Sequence, residues 1–205
     1  MLSRFLKTLV FVSPLFFAAP AFALLEINVG GQGILSDTGS GNWLASGASS
    51  AYSYSGAYGL QADVRLNIPL SDWQFGVRYG QLGLSGTSNG YNLSMSSTTY
   101  SGLVAYRIIN TGVLFGPVVT YAFGGSGSLQ NSFSNLGGTS ATAGNVSQYS
   151  AGLELGIKFP FLLAVELGYA NLTMNNFSSN QQINGSATNV ALGGTYARVS
   201  IGLSF

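Results

Sequence analysis

Between Tyr52 and Ile68 the chain alternates strictly. Tyr52, Tyr54, Tyr58, Leu60, Ala62, Val64, Leu66 and Ile68 fall on one parity, and Ser53, Ser55, Gly59, Gln61, Asp63, Arg65 and Asn67 fall on the other. A period of two belongs to an extended strand, whose successive side chains point to opposite faces. The pattern returns along the chain. Leu25, Ile27 and Val29 oppose Glu26, Asn28 and Gly30, and Trp73, Phe75, Val77 and Tyr79 oppose Gln74, Gly76, Arg78 and Gly80. Tyr100, Val104, Tyr106 and Ile108 share one face, as do Val113, Phe115, Pro117, Val119, Tyr121 and Phe123. Tyr149 to Phe159, Leu163 to Tyr169 and Ala197 to Phe205 complete a set of eight alternating segments. An even number of antiparallel strands closes into an up-and-down barrel.

The connections alternate in length. Tight turns are expected at 69–72, 110–112 and 160–161, and long Gly/Ser/Asn/Thr-rich loops at 36–51, about 85–97, 124–147 and 173–192. Short turns at one rim and long loops at the other are typical of bacterial outer-membrane barrels. Leu82 and Leu84 lie on the wrong parity after Tyr79. A bulge near Gly80 or Gly83, or a strand end rising above the bilayer, accounts for that.

Charge decides which face is inside. Only 6% of residues are charged, against about a quarter in an ordinary soluble domain. Eleven charged residues follow Arg4 and Lys7, with Asp37 in a long loop and Asp72 in a tight turn. The other nine all sit on the polar parity: Glu26, Asp63, Arg65, Arg78, Arg107, Glu154, Lys158, Glu166 and Arg198. A soluble barrel turns charges outward and packs apolar residues inside. The polar parity here holds too few large apolar residues for such a core, so the apolar parity is expected to face lipid and the nine charges to pair inside. Aromatics fit the same frame. Trp73, Phe75, Phe159, Phe161 and Phe205 gather near the short-turn rim, and Tyr52, Tyr54, Tyr58, Tyr121, Phe123, Tyr149 and Tyr169 toward the other, as interfacial girdles would.

Residues 1–23 read as a cleaved export signal, with basic Arg4 and Lys7, an apolar stretch from Thr8 to Ala19, and Ala21-Phe22-Ala23 as a small-x-small cleavage site. Residues 24–205 then form one barrel domain. No later segment is apolar enough to span a membrane as a helix, so a membrane form requires a closed sheet.

This combination resembles the small OmpA/OmpX-type outer-membrane barrels: an export signal, eight alternating strands, long loops at one rim, and a last strand ending Val199-Ser200-Ile201-Gly202-Leu203-Ser204-Phe205. The resemblance implies an all-β, eight-stranded antiparallel up-and-down transmembrane barrel with a polar, charge-paired interior. It also implies a monomer in the bacterial outer membrane with both termini periplasmic. Val199, Ile201, Leu203 and Phe205 are similar to the signal that the barrel-assembly machinery reads in that family.

Enzyme chemistry finds little purchase. The chain has no His and no Cys, so the usual general base and thiolate ligands are absent. The four interior acids have basic neighbours on the same face and read as structural. No cofactor, metal or nucleic-acid partner is expected. The leading expectation is a non-enzymatic barrel with a structural and surface-display role, adhesion or another contact, through four neutral loops. Trp43, Tyr91, Phe133 and Phe177 are the loop aromatics available for contact. The alternative is a narrow channel for small solutes, gated by exchange among the interior ion pairs.

Overall fold

A computed structural model gives the fold, and it describes residues 24–45, 48–51, 56–88, 91–133, 137–179 and 190–205. Within 36–51, 86–93, 131–139 and at 129, 141 and 179 it describes the backbone alone. The proposed export signal at 1–23 lies outside the described residues.

The strands are β1 (Leu25–Ala45), β2 (Ala48–Ala51), β3 (Ala57–Asn67), β4 (Trp73–Ser88), β5 (Tyr91–Tyr106), β6 (Ile109–Asn110), β7 (Val113–Phe133), β8 (Gly137–Lys158), β9 (Leu162–Ser179) and β10 (Val190–Ser204). The pairs β2 with β1 and β6 with β7 are short appendages. The other eight strands run in sequence order, apart from those appendages, and β10 pairs back onto β1 to close the sheet. Closure removes the free edges that an open sheet would present. The fold is therefore the expected eight-stranded antiparallel barrel.

The two ends of the described chain meet at one rim. Leu25 N–H donates to the Phe205 carbonyl at 3.2 Å, and Phe205 N–H donates back to Leu25 at 2.8 Å. The short connections at 68–72, 107–112 and 159–161 lie at the ends of the same strands. Leu70 sits there at a φ of 60° and is fully exposed.

Strand limits depart from the sequence reading at the opposite end. Ser88 pairs with Tyr91, Phe133 with Gly137, and Ala141 with Ser179. Most of the stretches expected to be long loops at 85–97, 124–147 and 173–192 are thus strand, and so is much of 36–51. Ser, Thr and Gly read as loop by composition, yet the ladder is held by backbone hydrogen bonds that any non-proline residue supplies. The strand expected over Tyr52–Ile68 is described only from Ala57, because residues 52–55 lie outside the described residues. At its start Gly56 takes a φ of 140°, and an added Cβ would stand 2.8 Å from the Ile34 carbonyl.

Leu82 and Leu84 resolve the parity puzzle. No bulge intervenes, since β4 keeps one register with β5 from Trp73↔Tyr106 to Ser88↔Tyr91. Both leucines simply point inward and are buried. With Ile34, Met95, Val146, Leu172, Met174, Val190 and Leu192 they form an apolar cluster inside the end of the barrel remote from the termini. The expectation that the inner parity is too poor in apolar residues to make a core is therefore wrong for that end. The reason is that polarity inverts along strands such as β4 and β9. On β9, Leu163, Val165, Leu167 and Tyr169 face out against Glu166; further along, Leu172 and Met174 face in while Asn171 and Thr173 are partly exposed.

Two irregularities allow some strands to change phase. β7 gains one residue against β5 between Tyr100 and Ser101, where Tyr100 pairs with Gly124 and Ser101 with Ala122. β1 shifts against β10 between Leu35 and Thr38. A one-residue bulge transfers the following side chains to the other face.

Candidate functional site: the ion-paired interior and the outer bands

The inward parity of the barrel wall delivers the charged residues to one place. Glu26 comes from β1, Asp63 and Arg65 from β3, Arg78 from β4, Arg107 from the end of β5, Glu154 and Lys158 from β8, Glu166 from β9, and Arg198 from β10. All but Lys158, which is partly buried at the rim, are buried. Cross-strand register explains the proximity. Glu26 pairs with Arg65, Asp63 with Arg78, Glu154 with Glu166, and Arg198 with Glu166.

The nine side chains form one connected network. Asp63 meets three guanidinium groups: Arg65 at 2.7 Å, Arg78 at 2.9 Å and Arg198 at 2.8 Å. Arg78 reaches on to Glu166 at 2.7 Å, where Arg198 also sits at 3.3 Å. Arg65 spans to Glu154 at 2.7 Å through a two-pronged contact, Nη1 to Oε1 and Nη2 to Oε2. Such fork-to-fork pairs are the strongest ionic hydrogen bonds side chains make. Arg107 joins Glu154 at 2.5 Å to Glu26 at 3.6 Å, and Lys158 closes the line on Glu26 at 3.0 Å. Tyr196 donates its hydroxyl to Glu166 at the far end. Every acid meets at least two bases, which is what offsets the desolvation of so many charges.

Glycines make room for the network. An added Cβ at Gly76 would lie 2.4 Å from the Val64 carbonyl and 3.2 Å from Arg65 Cγ. At Gly116 it would lie 1.8 Å from the Tyr106 carbonyl.

Neutral layers bracket the charges. Toward the apolar cluster lies a polar layer. Thr99 donates to Gln148 at 3.0 Å, and the hydroxyls of Thr120 and Ser150 meet at 2.6 Å. This layer encloses a void of about 10 Å³, lined also by Gln32, Arg78 and Tyr196, which is room for about one water. Toward the terminal rim, Leu114, Leu162 and Ala164 pack together, and Leu103, Ala105 and Val118 form a second small cluster. Among the described residues the charge network, the polar layer and the apolar clusters occupy successive parts of the interior. Eight strands enclose a space that side chains fill in this way.

The outer surface carries two bands. Between the rims it is apolar, with Leu60, Val77, Leu153, Leu155, Val165, Val199 and Ile201 all exposed. Tyr58, Tyr79, Tyr100, Tyr121, Tyr149 and Tyr169 stand one to a strand on β3, β4, β5, β7, β8 and β9 and are all exposed. Trp73, Phe159, Phe161 and Phe205 are exposed near the terminal rim, and Trp73 packs on Tyr106 with ring centres 5.0 Å apart. Tyr79 and Tyr100 were not assigned to the girdle from sequence, yet their direct pairing brings the rings to 5.6 Å. From Tyr149 to Phe159 is ten residues, or about 33 Å of strand. A tilt of about 40° reduces that to about 25 Å of height, the usual apolar band of such barrels.

The remaining sequence candidates divide. Val199, Ile201, Leu203 and Phe205 alternate outward along β10. The backbones of Trp43, Tyr91 and Phe133 lie in β1, β5 and β7, and their side chains lie outside the described residues. Phe177 is partly buried against the apolar cluster rather than presented outward.

No family model matches the chain, and no curated protein matches it. Solved structures do. A major outer membrane protein from Thermus thermophilus aligns over 88% of this chain and 99% of that one, at 11% identity and a TM-score of 0.53. OprG from Pseudomonas aeruginosa aligns over 88% and 95%, at 10% identity and a TM-score of 0.47. Neisserial surface protein A aligns over 85% and 96%, at 9% identity and a TM-score of 0.42. The chain thus shares its fold with an outer-membrane protein. The likeness is one of fold, not of sequence.

Proposed function

We propose that this protein is an integral barrel of the bacterial outer membrane, non-enzymatic and monomeric, with its termini on the periplasmic side. Its role on this reading is structural, with the neutral strand extensions beyond the tyrosine girdle displayed at the cell surface for adhesion or other contact. The observation that carries the membrane reading is the inverted cross-section: apolar side chains exposed around the wall, and eight buried charges within. A soluble barrel has the opposite arrangement, whereas lipid-facing apolar residues define a spanning one. The outward alternation of Val199, Ile201, Leu203 and Phe205 supports assembly through the C-terminal strand.

The buried ion-pair network, set between apolar clusters, supports a structural rather than a conducting role. A gated channel would need the ion pairs to exchange and two apolar layers to part. The experiment has two parts. Folded protein in planar bilayers is expected to pass almost no current; steady unitary steps would instead favour the channel. Removal of residues 127–143, which starts and ends on the paired Gly127 and Ala143, is expected to leave a heat-modifiable barrel. The same deletion should lower adherence of expressing cells to glass and to one another. Adherence equal to that of the full chain would remove the display role.

A further inference from the structure

Along β4, β5, β7, β8 and β9 the outer face turns polar beyond the level of the tyrosines. β5 continues from Tyr100 to Thr98, Ser96 and Ser94, and β9 from Tyr169 to Asn171 and Thr173. Register aligns these groups into rows across the sheet. Ser96 pairs with Ser128, Ser128 with Thr142, and Thr142 with Ser178. The next row is Ser85, Ser94, Gln130 and Ser140. The Ser96 and Ser128 hydroxyls hydrogen-bond at 2.7 Å, and both are on the exposed side of the wall. The result is an array of hydroxyl and amide groups on the curved wall of the barrel. Its rows are spaced about 4.8 Å between strands and about 6.8 Å along them.

The array carries no cationic group. The whole sequence has seven Lys and Arg. Arg4 and Lys7 fall in the proposed signal, and the other five belong to the interior network. Asp37 is the one acid in the chain between Glu26 and Asp63, and the remaining acids outside the network reduce to Asp72 at the terminal rim. A phosphate-bearing headgroup would therefore meet neither a guanidinium nor an ammonium here, the partners that phosphate normally requires. Nor does the array offer a cluster of carboxylates to hold a bridging divalent cation.

Height fixes what lies opposite it. From Tyr100 to Ser96 is four residues, which is about 13 Å of strand and about 10 Å of height at the usual tilt. With the tyrosines at the edge of the hydrocarbon, the rows face the headgroup layer. We infer that this surface docks lipids with uncharged sugar headgroups, whose hydroxyls hydrogen-bond to the Ser/Thr/Asn rows while the tyrosine rings contact the sugar next to the glycerol. Neutral hydroxyl groups both donate and accept, as do those of a sugar, so the match needs no charge. This rests on the membrane reading above.

The test uses the full barrel in nanodiscs of equal parts phosphatidylcholine, phosphatidylglycerol and digalactosyldiacylglycerol. Lipids retained on release are counted by native mass spectrometry, and heat-modifiability on gels reports insertion separately. The digalactosyl lipid is expected to be retained about threefold over each of the other two lipids, a modest preference of the kind a few hydrogen bonds give. The triple variant Ser96→Val, Ser128→Val, Thr142→Val should insert normally and lose the enrichment. Failure to insert would sink the membrane reading itself. Insertion with no enrichment, enrichment of phosphatidylglycerol instead, or unchanged enrichment in the triple variant would overturn this inference alone. Displacement of the lipid by millimolar free digalactose would also overturn it, by showing that the surface takes soluble glycan.

Discussion

Replacing Asp63 by Asn removes one charge from the most heavily shared acid in the barrel. Three guanidinium groups, from Arg65, Arg78 and Arg198, lie within 2.9 Å of its carboxylate. Asn is nearly isosteric, so packing is kept while three buried cations lose a common partner. Removing one side of a buried ion pair costs about 3–5 kcal/mol, because the survivor is left uncompensated. Here Arg65 and Arg78 keep Glu154 and Glu166 respectively. Arg198 keeps only the longer contacts to Glu166 at 3.3 Å and Glu154 at 3.7 Å. The loss should therefore fall near the lower end, about 3 kcal/mol. With a urea slope of about 2–3 kcal/mol/M, the unfolding midpoint drops by about 1–1.5 M. Tryptophan fluorescence in detergent micelles or thin vesicles reads that midpoint. Asp72→Asn, at an exposed turn, is the control and should shift it little. Adding Arg198→Met to Asp63→Asn restores the charge balance and should recover about 1 kcal/mol or more, as contacting sites do not add. A midpoint for Asp63→Asn within error of wild type would refute the claim that the shared carboxylate holds the interior together.

Three further outcomes follow from the same geometry. Gly116→Ala places a Cβ 1.8 Å from the Tyr106 carbonyl and should lower stability by about 1–3 kcal/mol or reduce the folded yield. Gly102→Ala, with nothing within 4 Å, should be silent in the same urea titration. Leu153→Arg, facing out in the middle of the apolar band, should cost about 2–4 kcal/mol in vesicles. Ser96→Arg, beyond the tyrosines, should cost no more than about 1 kcal/mol; equal costs at the two positions would contradict the assigned depth. Limited proteolysis of intact cells should spare tags at either terminus and cleave them only after outer-membrane permeabilisation, since both ends share one rim.

Much of the fold was legible because one physical constraint acts on every strand. An apolar face with no charges, repeated eight times, has one closed solution in which polar side chains are enclosed. The positions of Glu26, Asp63, Arg65 and the other interior charges followed from parity alone. Their pairing did not, because which acid meets which base depends on register and on contacts across the lumen. Arg65 with Glu154 and Arg78 with Glu166 join residues 89 and 88 positions apart. The strand extensions were hidden for another reason. Ser, Thr and Gly are common to loops and to solvated strands, and composition alone does not separate them. The signal was present in Leu82 and Leu84, whose reversed parity marks where the outer face turns from apolar to polar. Tyr79 and Tyr100 sit at that same transition.

The most direct test of the inverted cross-section is spin labelling along β9, one residue at a time from Leu163 to Thr173, in phospholipid vesicles. Collision with oxygen reports contact with hydrocarbon. The account predicts oxygen maxima at 163, 165, 167 and 169, minima at 164, 166 and 168, and loss of the oxygen signal at 171 and 173. Maxima at the even positions, or high accessibility to a water-soluble reagent at 163, 165 and 167, would contradict it.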